Sequence, residues 1–478
     1  MKQTDSKKIS LTQYIITIVI VGILASGITL FVYEVNNPMS KLTKGSSKDD
    51  LENIELLNEL ITSQYIEDVD QKKLVTGALE GMTEAIGDPH SSFFPEEEAE
   101  EFDTSVSGSF EGIGATMMLE NDYPSIAEPP IEGSPAEKAK LKKGDIIVKV
   151  DGKDTKDKPL QEVVSKVRGK KGTRVKLDVL RGDETFNVEI VRDKVLVESV
   201  KANIDKKDPS IGYIKINSFN TTTSDEFDKA IDKMRQDGAK KFVIDVRGNP
   251  GGVLQNVEKM TSRFIEDGKI IVGFENKAKV KQEEVASKKL DNGKKIKEPS
   301  VILIDENSAS ASEIMAGAFK AHGLEVIGVK SYGKGTVQTM VPIEGHGEVK
   351  LTISKWLTPD GKWIDKKGVE PTIKVDYPAY LKNRVIDRSM EYREGVISPN
   401  VKIINTYLNE LGYSVDKDSD SYSEKTVSAV HAYQTDNKLE VTGVMNKESI
   451  EKLEDSIRNH WKDNDIQYNK AVEVLKNK

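Results

Sequence analysis

Two segments of this chain repeat one pattern: an unbroken apolar run, a loop of small residues, then a helical stretch. "KKFVIDV" leads into "RGNPGG" and the helix-patterned "VLQNVEKMTSRFIEDG"; "PSVILID" leads into "ENSASAS" and "EIMAGAFKAHG". Strands that are apolar on both faces need a sheet covered by helices on both sides. With the strand "IGYIKI" and the helix "SDEFDKAIDKMRQDG" upstream, residues 194–395 predict an α/β core, its pattern clearest over 210–375. The charged stretch "NKAKVKQEEVASKKLDNGKKIKEP" between the two units predicts a surface hairpin or loop. At 478 residues the chain exceeds a single core, so other domains must flank this one.

The second loop carries Ser308, Ser310 and Ser312, each separated by one alanine. A strand-to-helix junction exposes a side chain and points the first helical N–H groups at developing negative charge, which suits a nucleophile. A serine needs an adjacent base, and no histidine lies within nine residues. Downstream, "SYGKGTVQ" offers Lys334. Read from Gly328 it nearly spells a phosphate-binding loop, but Gly335 stands where a hydroxyl must hold magnesium. The following "TVQTMVPIEG" reads as strand, not helix, so a nucleotide site fails twice. A lysine kept neutral by burial among "VIGV" and "TVQTM" can act as general base instead. Gln338 could hold its amine without charging it. On an extended strand the two would stand ~13 Å apart, so they meet only if the Gly333/Gly335 turn bends the chain. Glycines of the "RGNPGG" loop could offer an oxyanion donor if the two apolar strands are neighbours.

The flanks add three further regions. Residues 51–104 predict helices, with Leu51, Ile54, Leu57 and Ile61 and then Leu74, Ala78 and Met82 at helical spacing; His90, in "GDPHSSFF", reads as a turn residue. Residues 105–193 alternate with period two and turn at Lys143-Gly144-Asp145 and Arg181-Gly182-Asp183, a β-rich module. The array "GIGA … SPAEKAKLKKGDIIVKVDG … TRVKLDVLR" resembles a PDZ domain. That resemblance implies capture of a peptide C-terminus, with Gly112, Ile113, Gly114 and Ala115 forming the carboxylate loop. Residues 399–455 show two apolar stripes, Val401/Ile404/Leu408/Leu411 and Val427/Val430/Tyr433. With "LGYSV", "SEKTVSAVHAYQ" and "LEVTGVMNKES" they resemble the bacterial peptidoglycan-binding helical domain. Residues 456–478 read as a charged tail.

Near the start, "YIITIVIVGILASGITLFVY" (14–33) is uncharged and matches the ~20 residues of a bilayer-spanning helix. Lys2, Lys7 and Lys8 precede it, which predicts a cytoplasmic N-terminus and an extracytoplasmic remainder. A cleaved signal peptide is the competing reading; the run exceeds a usual signal core, and "LASG" lies inside it, so an uncleaved anchor (1–35) with a tether (36–50) is expected. The net charge of −9 disfavours nucleic acid, the absence of cysteine excludes thiolate chemistry, and five scattered histidines argue against a metal centre.

"DVRGNPGG", "SASASEIMAGA" and "YGKGTVQ", in that order after a PDZ-like module, resemble the carboxyl-terminal processing (tail-specific) proteases over residues ~50–380. The resemblance implies a cofactor-free serine endopeptidase with Ser310, the middle serine, as nucleophile, Lys334 as base and Gln338 positioning it. It implies oxyanion donors at Ala311 and at Gly251 or Gly252, and choosing among the three serines rests on it. One departure is the short "KAHGLEV" stretch, which leaves only 24 positions between Ser310 and Lys334. The family's PDZ domain gates its active site, which makes Arg168 in "VRGKKGT" a gating candidate; an arginine in a surface turn is the competing reading. The expected partners are C-terminal tails of envelope proteins, peptidoglycan, the membrane, and a second copy joined through terminal helices. A non-catalytic scaffold binding tails and glycan is the rival function.

Overall fold

The computed structural model describes residues 50–120 and 122–478. The anchor predicted at 14–33 lies outside them; among the described residues no helix is long and apolar enough to cross a membrane. The described residues divide into two compact units, one built from 50–99 together with 339–351, the other from 100–338 and 352–478.

In the first unit, helices α1 (Asp50–Gln64) and α2 (Gln71–Glu84) precede a short strand, β1 (Ser92–Pro95). The Asp70 carboxylate caps α2 by accepting from the N–H groups of Lys72 and Lys73. A strand thus interrupts the predicted helical region, and its Phe93 pairs with Val349 of a later hairpin.

The second unit begins, after α3 (Glu96–Ser107), with the β-rich module. Its strands are β2 (Ser109–Gly112), β3 (Met117–Glu120), β4 (Tyr123–Ile126), β5 (Ile146–Val150), β6 (Lys153–Asp154), β7 (Arg174–Arg181), β8 (Glu184–Val191) and β9 (Asp193–Leu196). Two helices, α4 (Pro135–Lys138) and α5 (Leu160–Val167), accompany them. β3, β4, β5, β7 and β8 form one antiparallel sheet with β3 at its edge. Alternate residues Val175, Leu177 and Val179 point into a core shared with Val163 and Val167 of α5, as period-two patterning requires.

The α/β core follows: β10 (Val200–Ile204), β11 (Ile211–Ile216), α6 (Thr223–Gln236), β12 (Lys241–Asp245), α7 (Leu254–Ser262), β13 (Ile270–Asn276), β14 (Lys281–Val285), α8 (Lys288–Asp291), β15 (Ser300–Ile304), α9 (Ala311–Ala321), β16 (Glu325–Gly328), β17 (Thr336–Ile343), β18 (Gly347–Leu357) and β19 (Ile373–Lys374). Its sheet runs β10-β11-β12-β15-β16-β19, parallel from β11 onward. Ile214, Ile216, Phe242, Ile244, Ile302 and Ile304 face helices α6, α7 and α9. The charged stretch 277–298 contributes the β13–β14 hairpin and the one-turn α8.

The C-terminal helices are α10 (Pro399–Glu410), α11 (Glu424–Asp436), α12 (Lys447–Asp463) and α13 (Ile466–Lys476). Val401, Ile404, Leu408, Val430 and Tyr433 meet Ile450, Leu453 and Ile457 in one core. Helix α12 continues eight residues past 455, so the stretch read as a charged tail is largely helical, and its second helix, α13, leaves the helical domain core. Its Ala471 and Leu475 pack against Ile211, Val243, Val301, Leu303 and Ile327, covering the second face of the core sheet.

Candidate active site

Strand β15 ends at Ile304 and α9 begins at Ala311, so the three serines occupy a six-residue loop and its helical start. Their fates differ. Ser308 is fully buried, its hydroxyl between the Val246 carbonyl (2.8 Å) and the Asp305 carboxylate (3.0 Å). Ser312 is also fully buried and donates to the Asn249 carbonyl at 3.0 Å. Ser310 alone is half-buried, and it sits just before α9 at φ 54°, ψ −112°. A side-chain-bearing residue there carries strain of roughly 1–3 kcal/mol, which the surrounding structure must hold in place. The alternation of alanine and serine is therefore a packing pattern: two serines anchor the turn and the middle one is presented.

Glu313, one turn into α9, is the residue that organises this turn and that the sequence reading passed over. It is fully buried. One carboxylate oxygen accepts from the Ser310 N–H (2.8 Å) and from the Lys334 N–H (2.8 Å). The other accepts from the Gly333 N–H (2.7 Å) and the Ser331 hydroxyl (2.5 Å). The backbone nitrogens of Ser310 and Lys334 thus lie no farther apart than twice 2.8 Å. Burial pushes the Glu313 carboxyl above the ordinary glutamate range, against the opposing pull of these four donors. Its signal was legible: Ser-x-x-Glu ahead of a helix is a capping-box spacing.

The Lys334 segment is fixed from other sides as well. Trp356 Nε1 donates to the Lys334 carbonyl and Trp363 Nε1 to that of Gly335, each at 2.8 Å. The Gly335 N–H donates to Asp365 at 3.0 Å. Lys334 is half-buried and stands between Gly333 and Gly335, in a stretch without helix or strand that precedes β17. The Gln338 amide nitrogen donates to Thr336 (2.9 Å) and Thr352 (3.0 Å). Thr336 lies two residues before Gln338 on the same strand, whereas Thr352 comes from the paired strand β18, which local spacing could not reveal.

The "RGNPGG" loop lies directly against the serine turn, because β12 and β15 are adjacent parallel strands. A Cβ on Gly251 would stand 2.9 Å from the Ser310 Cβ and 3.0 Å from the Ala311 nitrogen; with φ at +106° this position demands glycine. Asn249, fully buried, holds the loop: it donates to the Ile216 carbonyl and accepts from the Gly251 N–H (2.8 Å). The Asn249 carbonyl also receives the Ala309 N–H. Of the two glycine donors, the Gly251 N–H is therefore already committed. The N–H groups of Gly252 and Ala311 donate to no acceptor among the described residues.

In the β-rich module, Gly112 ends β2 and Ile113 is buried, while Gly114 takes φ +85° with Ser134 against it. The loop leads to the edge strand β3, where a peptide strand could be added. Arg168 sits at the end of α5, its guanidinium 5.8 Å from the centre of the Phe110 ring. The arginine that winds the "VRGKKGT" turn is another one, Arg192. Buried, it donates to the carbonyls of Lys166, Val167 and Arg174.

Comparison with known proteins matches residues 210–375 to peptidase family S41, 126–181 to a PDZ domain and 398–453 to a putative peptidoglycan binding domain. Residues 31–98 match the N-terminal domain of the activating protease CtpB. The carboxy-terminal processing protease CtpA of Bacillus subtilis is 39% identical over 461 residues, covering 96% of this chain and 97% of its own. A probable CtpA-like serine protease of Staphylococcus aureus is 38% identical over 477 residues, covering 99% and 95%. Among solved structures, the photosystem II D1 C-terminal processing protease superposes in part, at 25% identity and a TM-score of 0.41 over 67% of this chain and 86% of its own.

Proposed function

Because the chain belongs to peptidase family S41, as a carboxy-terminal processing serine protease, we propose that it cleaves protein tails with Ser310 as nucleophile and Lys334 as general base. The observation that carries this reading is the single Glu313 oxygen shared by the backbone N–H groups of Ser310 and Lys334. A neutral Lys334 amine takes the Ser310 hydroxyl proton as Oγ attacks the scissile carbonyl. The tetrahedral oxyanion is met by the N–H groups of Ala311 and Gly252. Its collapse breaks the C–N bond, passes the proton to the leaving amine and leaves an acyl ester on Ser310, which water hydrolyses. Gln338, anchored on Thr336 and Thr352, forms the wall against which the lysine stem is held.

The β-rich module supplies the tail-binding groove, with residues 112–115 receiving the terminal carboxylate and Arg168 relaying occupancy to the protease. The helical domain holds the enzyme at peptidoglycan. The segment 14–33 anchors it in the cell membrane with the catalytic core outside, beside the envelope proteins whose tails it processes. Of the terminal helices, α13 is committed to its own sheet, so pairing of two copies falls to α1, on which Leu51, Ile54 and Leu57 are exposed.

The test uses the detergent-purified full chain on an unstructured substrate with an apolar C-terminus, beside Ser310→Ala and Lys334→Ala. Each variant should lose on the order of 10⁴-fold or more in kcat. The parent's rate should fall on acidification as the amine is protonated. Equal cleavage by all three proteins would leave only a tail-binding scaffold.

A further inference from the structure

Asp465 stands in the two-residue joint between α12, which belongs to the helical domain core, and α13, which belongs to the protease sheet. Its two carboxylate oxygens do different work. One caps α13 by accepting from the Gln467 and Tyr468 N–H groups, both at 3.0 Å. The other receives Arg247 Nη2 at 2.7 Å, while Arg247 Nη1 donates to the Gln467 side chain at 2.9 Å. Arg247 opens the "RGNPGG" loop. Its near side is bound by the buried Asp245, and the Gly248 N–H beside it is bound by Asp305, the residue that also engages Ser308.

We propose that Asp465 is a positioning residue for proteolysis: through Arg247 it sets the loop that brings Gly251 against Ser310. This rests on reading that loop as one wall of the oxyanion site. The physical argument is one of reach. Asp245 fixes the guanidinium only from its own strand end, two residues away, whereas Asp465 and Gln467 fix it from an independent element. The pair therefore links the seat of the C-terminal helix to the position of the catalytic loop. Loops displaced by about an ångström can lose on the order of a hundredfold in rate without losing substrate affinity.

Asp465→Asn and Asp465→Ser separate the two roles, since asparagine and serine both remain good N-caps while neither offers Arg247 a charge. Arg247 also borders a recess of about 750 Å³, so water can solvate it in the variants and the fold should survive. The full-length variants are compared with the parent and with Ser310→Ala for kcat, KM, thermal midpoint and affinity for a C-terminal peptide. The expected result in both variants is a fall in kcat of roughly tenfold to a hundredfold, with KM and peptide affinity within about twofold. A kcat within about twofold of the parent in either folded variant overturns the proposal. If Ser310→Ala is inactive in the same assay, that outcome removes the positioning role alone; if Ser310→Ala cleaves normally, the catalytic reading itself falls.

Discussion

Ser310 holds a backbone conformation that only glycine adopts without strain, and Glu313 is what makes it tenable. The carboxylate has four donors and no room for a fifth role, so its replacement is informative. Glu313→Gln turns one acceptor oxygen into an amide nitrogen facing N–H donors at hydrogen-bond distance. Leaving buried donors unpaired costs about 1–3 kcal/mol apiece. We expect the variant to lose about 2–3 kcal/mol of stability in a denaturant titration and at least a hundredfold in kcat/KM. Glu313→Asp, a methylene shorter, should fare no better, because it cannot span the Ser310 and Gly333–Lys334 N–H groups together. Full activity in Glu313→Gln would mean that the backbones of Ser310 and Lys334 are registered by the tryptophan bonds to Lys334 and Gly335 alone. The three serines also separate at this scale: sequence spacing could not rank them, whereas burial commits Ser308 and Ser312 to the loop they pin.

Among the elements, those whose patterning is dictated by burial on both faces were the legible ones. "FVID" and "VILI" are read as buried strands because no other short segment tolerates so many apolar residues, and both are core strands here. Helix α13 was missed for the opposite reason: four charged residues after 466 mask Tyr468, Ala471, Val472 and Leu475, which nonetheless recur at helical spacing. Gln338's bond to Thr352 and the Arg192 knot were hidden because they depend on strands and turns more distant in sequence. Helix α7, which follows the "RGNPGG" loop, yields a prediction of its own. Glu258 on this helix is nearly buried, and burial, with Glu284 nearby, pushes its carboxyl up to about 7 from the ordinary 4.5. The native state therefore keeps a proton that the unfolded chain releases. The stability this contributes is complete below pH 4.5 and is lost as the pH climbs to about 7, by up to roughly 3 kcal/mol. Glu258→Gln should flatten that slope in chemical unfolding between pH 5 and 7; an unchanged slope would place the titration elsewhere.

The second unit closes on itself in a way that separates it from a string of independent modules. After the helical domain, the chain returns to the protease core, where α13 lies on the second face of the parallel sheet. Lys241 donates to the Leu475 carbonyl at 2.7 Å, Tyr468 to Asp205 at 2.7 Å and Gln467 to the Val375 carbonyl at 2.8 Å. The helical domain is thus inserted between two parts of the core rather than appended to it. A chain ended at residue 464 would uncover Ile211, Val243, Val301, Leu303 and Ile327, all fully buried. At about 25 cal/mol per Å² this apolar loss amounts to roughly 5–10 kcal/mol, comparable with the 5–15 kcal/mol net stability of a typical domain. A chain ended at 476 removes only the two residues beyond α13. Calorimetry should therefore show the 464 truncation losing the core's cooperative transition, or melting at least about 10 °C lower, while the 476 truncation melts like the parent. Equal midpoints for the two would show that the second sheet face is stable in water, and the C-terminal helix would then be an ornament of the fold rather than one of its layers.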